Sequence, residues 1–188
     1  MRKRSLILLV AVMLAFALAG GAFAAQFQAD MTMDGMGQKV TGKVYVKGEL
    51  MRQEINTPLG KSITIIDGVK DTTYVLMPNE KMYMEMSNEQ LVFAESETIE
   101  EKLGDEADVR KVGTETIEGY KCDKYEVKYK DTAMGESAMW FSQKLNYPLK
   151  GITKTSEGTM TFTYTNIKEG SVDAGLFVIP PGYKKFSY

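Results

Sequence analysis

From Gln26 onward the chain is cut into short, apolar-alternating runs by turn residues, with little room between them for crossovers. Met31 and Met33 alternate with polar neighbours before Gly35-Met36-Gly37, and Val40 to Val46 turns at Lys47-Gly48-Glu49 to return as Met51 to Ile55. Ile63 to Ile66 runs into Asp67-Gly68, a hairpin-type dipeptide, and Thr73 to Met77 ends at Pro78-Asn79 before Met82 to Met86. Strands resume at Val109 to Ile117, turn at Glu118-Gly119, and come back from Tyr120 to Tyr129. Ser137 to Gln143 then runs against Leu149 to Thr155, and Met160 to Lys168 follows Glu157-Gly158. Parallel pairing needs long connections, so a meander this tight predicts a mostly antiparallel sheet. About ten strands in one domain predict a strongly curved sheet or open barrel.

One segment breaks the pattern. Ser87-Asn88-Glu89-Gln90 has the capping-box form, and Val92, Ile99 and Leu103 follow at helical spacing before Gly104. The spacing predicts a helix over 88–103, broken around Ser96, acidic on most sides and lying on the sheet by a thin apolar stripe. At the other end, Pro180-Pro181 forbids a central strand beyond Ile179.

The N-terminus is of another kind. Arg2, Lys3 and Arg4 precede an apolar stretch from Leu6 to Leu18, and Ala22-Phe23-Ala24 completes an A-x-A cleavage site. That is a secretory signal peptide over residues 1–24, cleaved near Ala24, and it predicts a periplasmic protein that is not an integral membrane protein. The remaining residues 25–188 contain no repeat, linker or low-complexity tract and read as a single domain. Cleavage removes three of the 23 Lys and Arg residues and none of the 25 Asp and Glu, moving the formal net charge from −2 to −5. Nucleic acid and anionic membrane faces reward a basic patch, so neither is expected as a partner.

The sequence contains no histidine and one cysteine, Cys122. That removes the usual zinc ligands, the Ser–His–Asp and Cys–His nucleophile arrangements, an internal disulfide and the commonest general base. No catalysis and no cofactor are expected. Cys122 reads as a buried residue beside a β-bulge, because the alternation shifts between it and Tyr125. The acids between Glu97 and Asp108 lack the ligand spacing of a calcium loop and read as a solvated helix face.

Taken in order, several segments resemble a known superfamily. They are Gly42-Lys43-Val44-Tyr45-Val46-Lys47-Gly48, Met51-Arg52, Ile63 to Gly68, Pro78-x-x-Lys81-Met82-Tyr83 and Gly119-Tyr120-x-Cys122-x-x-Tyr125. Trp140-Phe141-Ser142, Pro148-Leu149-Lys150 and Phe177-x-Ile179-Pro180-x-Gly182-Tyr183 complete the set. Their order and spacing resemble the LolA-like lipoprotein carriers, and more closely the uncharacterised secreted domains of that superfamily, over roughly residues 28–186. The resemblance implies an unclosed, strongly curved antiparallel sheet with helix covering its concave face, a mainly β fold of α+β class. It also implies an apolar concave face that shields an acyl chain or a lipoprotein's lipid moiety. The carriers begin with a helix, whereas here Gln26 enters strand-like alternation almost at once.

Methionine supplies the candidate lining. Met82, Met84 and Met86 lie two apart and face one way, as do Met31 and Met33, and thioethers suit surfaces that accept ligands of varied shape. With Tyr45, Met51, Ile65, Trp140 and Phe162 they form the expected lipid pocket, and Arg52 is its candidate rim residue for a carboxylate or phosphate. Ordinary core packing is the competing reading of the same methionines. A second reading takes Met31, Met33 and Met36, and by the same spacing Met82, Met84 and Met86, as soft donors for Cu(I), the first cluster being the preferred one beside its glycines. A third is an envelope sensor or assembly partner that uses the same face against another protein.

Overall fold

The computed structural model describes residues 25–35, 37–57, 60–87 and 106–186. Twelve strands run in chain order: β1 (Gln26–Gly35), β2 (Gln38–Lys47), β3 (Leu50–Thr57), β4 (Gly60–Asp67), β5 (Thr72–Met77) and β6 (Met82–Ser87), then β7 (Ala107–Ile117), β8 (Tyr120–Tyr129), β9 (Glu136–Ser142), β10 (Tyr147–Thr155), β11 (Gly158–Glu169) and β12 (Lys184–Lys185). They form one sheet in the order β12-β6-β5-β4-β3-β2-β1-β11-β10-β9-β8-β7, which does not close. Every pair is antiparallel except the short edge pair β12–β6.

Side-chain contacts show how far the sheet curls. The Tyr147 hydroxyl on β10 donates to the Met51 sulfur on β3 at 2.9 Å. Four inter-strand steps separate these strands, about 19 Å in a flat sheet at the usual spacing. The sheet therefore bends around this face, which is the concave one. Phe27 packs its ring edge-on to Tyr147 at 5.3 Å between centroids, and Tyr147 lies 5.8 Å from Tyr164. These residues join Met31, Val44, Val46, Ile66, Leu149 and Trp140 in the main core.

Gly42 makes the bend possible. It stands on the concave side of β2 between Met31 and Ile55, and a Cβ there would run into the Glu54 carbonyl oxygen. Gly42→Ala is expected to cost about 1–3 kcal/mol, because the obstacle is backbone and cannot rotate away. A urea midpoint identical to wild type would show that the curl does not depend on this close approach.

The opposite face of β3–β6 is covered by the chain that follows β11. Val172 and Phe177 are buried against Ile63, Ile65 and Leu76. A 3-10 turn over Ala174–Phe177 is capped by Asp173, which accepts from the Gly175 amide at 2.9 Å. Past Pro180-Pro181, the Lys184 and Phe186 amides donate to the carbonyls of Lys81 and Tyr83, which lays this stretch along the sheet's edge.

The expected curved, unclosed, mainly β sheet is found, with twelve strands among the described residues against about ten expected. Helix over the concave face finds no support: the described residues contain no α-helix, only short 3-10 turns, and the segment expected to be helical, 88–103, lies outside them. In the middle of the concave face the cover is the sheet's own side chains, Phe27, Met51, Tyr147 and Tyr164. Cys122 is fully buried as expected, but the bulge near it lies on β7, between Lys111 and Gly113, while β8 pairs regularly with β9.

Candidate functional site

The expected pocket residues fall into three places. Met31, Met33, Met51 and Trp140 are buried in the main core, and Phe162 packs against it. Two of those sulfurs accept hydrogen bonds: Met31 from the Gln53 amide and Met51 from the Tyr147 hydroxyl, each at 2.9 Å. Met36 lies outside the described residues.

Tyr45, Arg52 and Ile65 lie in one cross-strand row on the other face, beneath the C-terminal segment. Arg52 is buried, with Nε donating to Glu54 at 2.7 Å and Nη1 to the Leu176 carbonyl at 2.8 Å. Lys61 reaches the second oxygen of Glu54 at 2.6 Å. Burial is the largest single influence on Glu54 and pushes it up, but the hydrogen bonds from Lys61 and Arg52 together hold its carboxyl below the ordinary range. The structure thus places Arg52 at the joint between β3 and the C-terminal segment.

Met82, Met84 and Met86 occupy the third place, on the concave side of β6. Met82 and Met84 are half-buried and Met86 is 42% exposed. Met82 stands directly opposite Met77 of β5, a residue that the reading of single strands passed over. Pairing the two runs across Pro78-Asn79 is the signal that finds it.

A further feature was not legible strand by strand. A groove of about 820 Å³ opens along β7–β10, with Ala138, Trp140 and Ile152 among its lining residues. Ala138 and Ile152 are cross-strand neighbours that pack against the main core, so the groove's apolar part continues from it. Arg110, Lys124, Lys128 and Lys154 line the same groove alongside Asp108, Glu126 and Glu136. Trp140 is fixed on its edge by Glu115, which accepts from the indole Nε1 at 2.8 Å. The ammonium groups of Lys124 and Lys150 lie 4.8 and 4.4 Å from the ring centroid. Hydrogen bonds from Lys124 and then Trp140 hold the Glu115 carboxyl below its usual range. Among the described residues no group of three or more Cys, Asp or Glu could hold a metal ion, and no helix is long and apolar enough to cross a membrane.

Residues 23–146 match DUF4412, a domain of unknown function. The chain belongs to this family. No curated protein matches this DUF4412 member. Its structure is similar to that of an uncharacterised conserved protein from Thermus thermophilus, at 13% identity and a TM-score of 0.63, over 87% of this chain and 91% of that one. It is also similar to MucB in the MucA/MucB complex of Pseudomonas aeruginosa, at 17% identity and a TM-score of 0.54. That alignment covers 79% of this chain and 53% of MucB, so the DUF4412 chain spans about half of MucB's length. A LolA superfamily protein from Nitrosomonas europaea aligns over 90% of this chain and 96% of its own at 11% identity and a TM-score of 0.41. Likenesses at these identities concern the fold alone.

Proposed function

We propose that this DUF4412 protein is a non-enzymatic binding protein of the bacterial envelope that shields an amphiphile's acyl chain in the groove between β7 and β10. The observation that carries the reading is the juxtaposition of apolar Ala138, Trp140 and Ile152 with Lys124, Lys128 and Lys154 in the lining of one groove of about 820 Å³. That volume falls in the range of about 300–1,000 Å³ common to small-molecule sites. An acyl chain laid on the apolar residues gains about 25 cal/mol per Å² removed from water, and the lysines offer ion pairs to a phosphate or carboxylate head. The signal-peptide pattern supports export, and the lack of histidine speaks against most hydrolytic chemistry.

The test is to express the chain with its signal, purify it from the periplasm without detergent and record native mass spectra. A mature mass beginning after Ala24 and carrying an adduct of lipid mass is expected. Trp140 is the sole tryptophan, so titration with a long-chain fatty acid should also shift its fluorescence directly. Ile152→Asp, which puts a carboxylate on the groove's apolar part, is expected to weaken that titration at least tenfold. A clean apo mass together with an unresponsive Trp140 would remove this function from the groove.

A further inference from the structure

We propose that Met77, Met82 and Met84 form a binding site for a soft monovalent cation, Cu(I), on the concave side of the β5–β6 hairpin. Met77 and Met82 are directly paired across the two strands, and Met84 follows Met82 on the same face, opposite Val75. Directly opposed residues on an antiparallel pair have Cβ atoms about 5 Å apart, and alternate residues of one strand stand about 7 Å apart. Methionine side chains with three rotatable bonds can bring three sulfurs onto one ion from such positions.

The choice of residue type points beyond apolar cover. Where β4 and β5 need only a buried hydrophobe they use Ile63, Ile65, Ile66 and Leu76, the branched residues that suit packed positions. On the concave side toward β6 the residues change: 77, 82, 84 and 86 are all methionine, and none of the four is buried. Methionine has no special strand preference, and exposing it to water gains nothing over a polar residue. What it adds is a thioether, a ligand that selects Cu(I) over the harder divalent ions and needs no deprotonation. The alternative cluster is built differently. Met31 and Met33 are buried in the main core, and the Met31 sulfur already accepts a hydrogen bond from Gln53. Those two side chains are committed to packing, while the methionines of β5–β6 are half-buried or exposed. Binding of preformed Cu(I) involves no electron transfer, and the metal leaves its carrier without a proton being released from the thioethers.

The experiment titrates the purified mature protein with Cu(I) under anaerobic, reducing conditions against a chromophoric Cu(I) chelator. Wild type is expected to withdraw one equivalent. The triple variant Met77→Leu/Met82→Leu/Met84→Leu keeps the apolar surface and loses the sulfurs, and its affinity is expected to fall at least a hundredfold. Met31→Leu should leave the affinity unchanged. Because a triple variant can misfold, the intact wild type is also titrated with Ag(I), a redox-inert stand-in, while the methionine ε-methyl carbon signals are recorded. Shifts confined to Met77, Met82, Met84 and their neighbour Met86 support the site. Withdrawal of no copper by wild type, full affinity in a folded triple variant, or Ag(I) shifts at Met31 and Met33 instead would each overturn it. Fatty-acid binding at Trp140 is read separately, so the two sites stand or fall independently.

Discussion

Tyr147→Ala is expected to cost about 3–5 kcal/mol of stability, the range for deleting a large buried aromatic side chain. Tyr147 is 3% exposed and touches both arms of the curl, with Phe27 on β1, Tyr164 on β11 and the Met51 sulfur on β3. Its removal leaves a hole that an open sheet can fill only by bending further. Tyr147→Phe separates the ring from the hydroxyl and should cost only about 1 kcal/mol, a typical net hydrogen bond. Burial, the largest cause for each, pushes the Tyr147 phenol well above its ordinary value and the Tyr164 phenol up to about 12. Both therefore bind their protons more tightly folded than unfolded. The stability this contributes is fully present below about pH 10, the ordinary tyrosine value, and is lost as pH rises from there through the folded values. Urea unfolding followed by Trp140 fluorescence from pH 7 to 11 checks both points. A loss under about 1 kcal/mol for the alanine variant would mean that this ring does not hold the two arms together.

How much of this was legible beforehand depends on the physics of each feature. Turn residues act locally, so the strand runs could be placed from the sequence: Glu118-Gly119 turns β7 into β8 with both residues at positive φ. Asp67-Gly68 also marks a turn, but the turn spans Gly68–Asp71, with the Asp67 side chain accepting from the Lys70 amide. Faces were harder. A strand exposed on one side alternates, and β1 does so from Phe27 to Met33. In β3, Met51, Arg52 and Gln53 are all buried, and in β4 the run from Ile63 to Asp67 is buried throughout. Both faces of these strands are covered, one by the core and the other by a segment more than a hundred residues downstream. No periodicity within the strand can then say which of Met51 or Arg52 faces the concave side. The groove beside Trp140 was hidden for a related reason. Its apolar residues, Ala138 and Ile152, are ordinary when read singly and become a site only through the β9–β10 register.

Arg52→Ala is expected to cost about 3 kcal/mol, at the low end for breaking a buried ion pair because Lys61 remains on Glu54. The loss should be concentrated at the C-terminal segment. Arg52 holds the Leu176 carbonyl, and the Lys47 ammonium donating to the Val172 carbonyl and the Val172 amide donating to Gln26 are further hydrogen bonds that tie the start of that segment to the sheet. Limited chymotrypsin digestion should then cut at Leu176, Phe177 or Tyr183 in the variant well before it cuts wild type. Arg52→Lys should rescue little, since an ammonium cannot offer the planar pair of donors that Glu54 and the carbonyl now share. The acid limb of stability supplies an independent check. Glu54 titrates below its ordinary value in the fold, so its contribution is present above about pH 4.3 and is lost as pH falls through the depressed folded value. Removing one of its two cations must shrink that pH-dependent loss as well as the stability at neutral pH. A ligand-rim role predicts a different pattern: fatty-acid titration of Trp140 would weaken in Arg52→Ala while digestion stayed unchanged. Because Arg52 lies under the C-terminal segment, on the face away from Met51, the expected result is the reverse, with early cleavage and unaltered titration.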